Sequence, residues 1–291
     1  MYVGMQIPQF KPSQPETMGR WFAELAQAAE ESGFYSLWVM DHFFQLGGWL
    51  GEPETPMVEG YTTLGYLAGV TRKIKLGLLV GGVIYRHPSI VIKMISTLDV
   101  LSGGRMYMGI GAAWYEHETK SLGMHYPSTK ERFEQLEDIL QLAHHMWRGD
   151  TSEFKGKQFT VPYPLNNPQP LTKPHPPILI GGQGERKTLR FVAQYANACN
   201  LFGGAGNDVL KHKLEVLRNH CQEQNRPYAE IEKTVLESFD LSIQDMEAVL
   251  ARFKELRKIG FSQVIFNLKG DYKPEIIAKF GEKIVPIVKQ L

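Results

Sequence analysis

Asp41 and His42 stand side by side at the end of the apolar run Leu37-Trp38-Val39-Met40. An imidazole moves protons near neutral pH, and a neighbouring carboxylate can orient it or raise its pKa. The same two residues can equally be a backbone cap and a packed polar side chain. Glycine-rich turns carry a second kind of chemistry. Gly81-Gly82 follows Leu79-Val80, Gly111 precedes Ala112, Gly181-Gly182-Gln183-Gly184 ends an apolar run, and Gly203-Gly204 follows Phe202. Glycine lets a backbone turn tightly and come close to a ligand. A helix opening near Glu185 would offer free N–H groups to an anion. Lys187, Arg190 and Lys211 are nearby cations that could also be surface charge. An ordinary strand-to-helix turn has the same composition.

Other residues have two readings each. Arg86 and His87 could contact a phosphate or substrate, while Pro88 could simply start a helix. Trp114 follows small residues that leave room for a flat ligand. Glu116 and Glu118 are candidate acids or helix-start charges. Trp49 lies in an aromatic, glycine-rich stretch, 43–60, long enough for a lid or for a loop with its own small core. Lys269 could be a Schiff-base nucleophile or a surface lysine in a turn. There is no HExxH, no zinc-spaced cysteine pair, no EF-hand loop and no GxSxG, so no metal site is expected. Gly-x-Gly at 109–111 lacks the third glycine of a dinucleotide fingerprint.

The elements that must hold these residues alternate along the chain. Eight apolar or β-branched runs read as strands: 2–7, 35–41, 74–80, 105–110, 177–181, 198–202, 233–237 and 263–268. Helical patterns lie between them. Met18, Phe22, Leu25 and Ala29 share one face ahead of Gly33. Ser128 with Glu131, and Ser242 with Asp245, read as capping boxes, the second helix ending at Gly260. Further helices are read over 61–72, 89–101, 187–195, 209–224 and 274–289. Strand–helix alternation argues for a parallel α/β sheet, and eight units in about 250 residues match a closed (β/α)8 TIM barrel. An open doubly wound sheet is the alternative. Residues 151–176, with six prolines, read as an insertion before the fifth strand, carrying a short hairpin. One domain is expected over residues 1–291.

Composition narrows the partners. The 291 residues carry 32 basic and 31 acidic side chains, a net charge of +1. No strong field draws nucleic acid or an anionic membrane. Cys199 and Cys221 make no disulfide framework, and no leader or membrane span is read. A small-molecule substrate and a cytoplasmic setting are expected.

Five segments, in order, resemble the bacterial luciferase-like flavin oxidoreductase family over nearly the whole chain. They are Trp38-Val39-Met40-Asp41-His42-Phe43, Arg86-His87-Pro88, the stretch from Thr97 to Arg105, Gly109-Ile110-Gly111-Ala112-Ala113-Trp114, and Ile180-Gly181-Gly182 with Ala196-Asn197-Ala198-Cys199-Asn200. The wording is most similar to the coenzyme F-420-dependent subgroup. The resemblance implies a barrel that binds flavin mononucleotide (FMN) or its deazaflavin relative, coenzyme F-420. It implies that the phosphate end lies at Gly181, Gly182, Gln183, Gly184, Gly203 and Gly204. The ring would lie over Leu79, Val80 and Gly81, near Gly111 and Ala112, with a non-proline cis peptide near Leu79–Val80. His42, oriented by Asp41, would move the proton that accompanies hydride transfer. Some relatives carry a glutamate donor where Trp114 stands, so the implied proton sources are His42 and Glu116. Trp49, Arg86, His87 and Trp114 would face the substrate. The implied function is deazaflavin-dependent hydride transfer in a homodimer. Alternatives are a reduced-flavin monooxygenase using oxygen and a non-catalytic flavin-binding protein.

Overall fold

The computed structural model describes residues 1–8, 15–48, 50–241 and 244–291. Eight parallel strand positions form the barrel: β1 (Tyr2–Ile7), β2 (Ser36–Val39), β3 (Lys75–Leu78) continued by β4 (Gly81–Gly82), β5 (Met108–Gly111), β8 (Ile178–Gly181), β9 (Ala198–Phe202), β10 (Glu232–Phe239) and β11 (Gln263–Leu268). The hydrogen-bonded order is β3-β2-β1-β11-β10-β9-β8-β5-β4. Closure comes at Leu76, whose N–H donates to the Arg105 carbonyl at 2.9 Å and whose carbonyl accepts from the Tyr107 N–H at 2.8 Å. The open-sheet alternative is therefore excluded. The third barrel position is broken between β3 and β4 by a cis peptide bond at Leu79–Val80.

These strands are short apolar runs because both faces are covered. Trp38, Leu79, Tyr107, Leu179, Ala198 and Ile265 fill the barrel interior. The outward side chains pack under the helices α1 (Pro15–Glu31), α2 (Gly60–Val70), α3 (Pro88–Ser102), α4 (Glu116–Ser121), α5 (Thr129–Trp147), α6 (Thr188–Tyr195), α7 (Asn207–Glu223), α8 (Met246–Ile259) and α9 (Pro274–Val288). The Ser128–Glu131 capping box starts α5 as expected. Asp245 caps α8, while Ser242 lies outside the described residues. The insertion carries the antiparallel hairpin β6 (Phe154–Lys155) and β7 (Thr160–Val161). Asp138 of α5 anchors it, accepting the N–H groups of Lys157, Gln158 and Phe159 at 2.8, 2.7 and 3.0 Å.

Candidate active site

The carboxyl ends of β2, β3–β4 and β5 bring Asp41, His42, Gly82, Arg86 and Glu118 to one side of the barrel mouth. Asp41 and His42 both follow β2, but their side chains serve different partners. Asp41 is 2% exposed. Its Oδ1 accepts from Arg86 Nη2 at 2.8 Å, and its Oδ2 from Arg86 Nη1 at 2.9 Å and the Gly82 N–H at 3.0 Å. Arg86 also pairs with Glu59 and lies 4.7 Å over the Tyr61 ring. Burial pushes the Asp41 carboxyl above its ordinary range, against the pull of Arg86. The expectation that Asp41 orients His42 is thus corrected: Asp41 is committed to Arg86 and to the backbone of β4.

Glu118 holds His42. Its Oε1 lies 3.0 Å from His42 Nδ1 and accepts from the Tyr85 hydroxyl at 2.5 Å. Its Oε2 accepts the N–H groups of Phe43 and Phe44 at 2.5 and 2.9 Å. Burial raises the Glu118 carboxyl, but the bonds from His42, Tyr85 and Phe44 outweigh it and hold its pKa below the ordinary value. An ionised carboxylate only accepts, so the His42 Nδ1 must carry the proton. The Nε2 is then the atom free to take or give one at the mouth. The Trp114 and Tyr115 rings flank the imidazole edgewise at 5.9 and 5.8 Å.

Glu116 does not take part. It pairs with Lys120 at 2.7 Å on the surface, its side chain 53% exposed. The reason is helical geometry: Glu116 and Glu118 are two residues apart on α4, hence on opposite faces. Both carboxylates are legible in the sequence as acids or helix-start charges, and only the placement of α4 tells their faces apart. His87 is also corrected. It is the residue before α3, its Nδ1 2.7 Å from Ser89 Oγ and its ring against Phe159, so it belongs to the helix start and the insertion. Arg86 acts inside the protein, clamped between two carboxylates, and does not project toward a ligand. Trp49 lies outside the described residues. Lys269 is exposed in its turn, as the surface reading holds.

The glycines fit a bound cofactor unevenly. A Cβ on Gly111 would stand 2.9 Å from the Val80 side chain, and one on Gly181 2.8 Å from it. Val80 therefore projects between β5 and β8 only because both lack side chains. Ala112 follows β5 beside this gap. Gly182 has φ +117°, a conformation open to glycine, and Gly184 sits against Thr188 at the start of α6. The Gln183 Oε1 in this turn is buried without a partner among the described residues. Gly203 differs: a Cβ there would strike the Glu237 carboxylate, which pairs with Arg252 at 2.6 Å. Gly204 has open space beside it. Among the described residues no group of three or more metal-ligating side chains is present.

The family profile described as luciferase-like monooxygenase matches residues 1–274. The chain belongs to that family. Among curated luciferase-like relatives is the coenzyme F-420-dependent glucose-6-phosphate dehydrogenase of Kineococcus radiotolerans, 27% identical over 219 residues, covering 73% of this chain and 61% of the relative. Pyrimidine monooxygenase RutA of Acinetobacter baylyi is 32% identical over 203 residues, covering 65% and 53%. The chain thus spans about half to three-fifths of the length of these two relatives. Among solved structures, a coenzyme F-420-dependent secondary alcohol dehydrogenase in complex with a cofactor–acetone adduct superposes with TM-score 0.83 at 18% identity, covering 99% of this chain and 98% of that one. The coenzyme F-420-dependent tetrahydromethanopterin reductase of Methanopyrus kandleri gives 0.79 at 18%, covering 99% and 100%. These likenesses establish the barrel of the family.

Proposed function

We propose that this luciferase-like protein is a coenzyme F-420-dependent oxidoreductase that transfers hydride to or from a small organic substrate. The observation that carries the reading is His42, held at the end of β2 through Nδ1 by the Glu118 carboxylate with Nε2 left for proton transfer. The bound deazaflavin supplies two-electron hydride chemistry. Leu79, Val80 and Gly81 would hold its ring, with Gly111 and Ala112 alongside. Gly181, Gly182, Gln183 and Gly184 would hold its phosphate end, with Gly203 and Gly204 across the neighbouring strand. His42 exchanges the accompanying proton with substrate, and Glu118 stabilises the imidazolium formed when Nε2 is protonated. Trp114, 55% exposed beside His42, shapes the substrate side and brings no acid. Several relatives named as coenzyme F-420-dependent support this cofactor.

The second reading, an FMN-dependent monooxygenase, is favoured by the relatives named RutA. Purified protein titrated with coenzyme F-420 and with FMN, followed by fluorescence, separates the two. Exclusive FMN binding overturns the first. A homodimer is supported by Ile90 and Leu101, 55% and 72% exposed, which are eleven residues apart and so share one face of α3. One domain and a cytoplasmic setting complete the reading, the latter supported by the unpaired thiols of Cys199 and Cys221. No helix among the described residues is long and apolar enough to cross a membrane.

A further inference from the structure

We propose that Arg132 is a binding residue for the phosphate group of the cofactor, an assignment that rests on the cofactor reading above. Arg132 is 9% exposed and lies in the first turn of α5, on the buried stripe continued by Leu136, Leu140 and Ala143. Helix α5 joins β5 to β8, which are neighbours in the barrel, and it begins beyond the carboxyl end of β5. A buried side chain in its first turn therefore faces the barrel and not the solvent.

The guanidinium is far from satisfied. It has five N–H donors. Nη2 donates to Thr129 Oγ1 at 3.2 Å, while Nε and Nη1 are buried without a hydrogen-bond partner among the described residues. A buried cation is normally paired, because an unmade bond there carries the full desolvation penalty. The Tyr126 ring lies 4.4 Å from the guanidinium and covers it. An anion seated on Nε and Nη1 turns that ring aside and completes the donor fork, the geometry in which Arg binds phosphate oxygens.

The neighbourhood agrees in charge. The first turns of α5 and α6 touch: Lys187 lies 5.1 Å over the Phe133 ring, and Phe133 packs on Phe191 at 6.4 Å. On the other flank, Gly203 sits against Glu237, already neutralised by Arg252. The unpaired positive charge is thus on the β8–α5 side of the phosphate site, opposite Gly203.

The test compares ligands with and without a phosphate. Wild-type protein and Arg132→Met, which keeps the length of the side chain, are titrated with FMN, riboflavin, coenzyme F-420 and the tail-less deazaflavin chromophore. The expected result is FMN and coenzyme F-420 binding weakened about 10- to 100-fold, with riboflavin and the bare chromophore unchanged. Equal loss for both members of a pair, or no loss for the phosphorylated member, overturns the assignment while leaving the cofactor reading intact. Wild-type protein that binds none of the four overturns the cofactor reading and this assignment with it. Thermal melting of the variant confirms that it is folded.

Discussion

His42 is useful only if its tautomer is fixed, and here that task falls to Glu118. Replacing His42 by Ala is expected to lower turnover about 10²- to 10⁴-fold while cofactor affinity, read by fluorescence titration, stays within about threefold. Turnover retained in that variant would remove His42 from the proton step. Glu118→Gln replaces a pure acceptor with a group that can also donate, so the preferred His42 tautomer is lost and turnover falls. The variant has a stability signature as well. The folded pKa of Glu118 lies below its ordinary 4.5. Its contribution is therefore complete above that ordinary value and is lost as pH falls through the depressed one. The Tm difference between wild type and Glu118→Gln should be widest near neutrality and narrow in acid. A constant gap from pH 7 to pH 3 would contradict the charged network.

Strand ends and insertions make their own demands. At Gly109 in β5, a Cβ would come within 1.8 Å of the Leu78 carbonyl oxygen, a backbone atom that cannot step aside. Gly109→Ala is expected to destabilise by on the order of 3 kcal/mol or to prevent folding. Gly204→Ala, with nothing within 4 Å, should leave the thermal melt almost unchanged. The hairpin of the insertion depends on Asp138, 1% exposed, which accepts three backbone N–H groups. Asp138→Ala leaves those donors without their carboxylate, a loss of about 2–4 kcal/mol. Limited proteolysis should then cut within residues 156–159 before the barrel strands. Cleavage no faster than in wild type would mean the hairpin is held by its other contacts.

The barrel positions the mouth by closing on itself, and its outer surface leaves the α3 face of Ile90 and Leu101 uncovered. Charge placed there, as Ile90→Glu with Leu101→Glu, is expected to convert a dimer to a monomer in sedimentation velocity without altering the melting of the isolated subunit. Wild-type protein sedimenting as a monomer would remove the dimer from the reading. Interior packing matters differently: Trp38 meets Tyr107 edgewise at 5.4 Å and donates from Nε1 to Ser36 at 2.7 Å, so the barrel centre is filled by side chains and the ligand space lies above it.

Much of this was legible in the chain alone. Hydrophobic runs bounded by glycine and proline mark strands whether or not their neighbours are known, so β1, β9 and β11 were bounded correctly and the capping box at Ser128 was identified from local spacing. Those features depend on residues close in sequence. The partners of Asp41, His42 and Gly203 do not. Arg86 reaches Asp41 across 45 residues, Glu118 reaches His42 across 76, and Glu237 lies against Gly203 through pairing of β9 with β10. Adjacency made Asp41 the natural orienter of His42, yet consecutive side chains at a strand end point to different sides. Helix α4 then selected Glu118 over Glu116. Local sequence thus specified which elements form and which chemical groups are present. Which carboxylate faces which base was decided by the closing of the barrel, because pairings between distant residues exist only once the strands are in register.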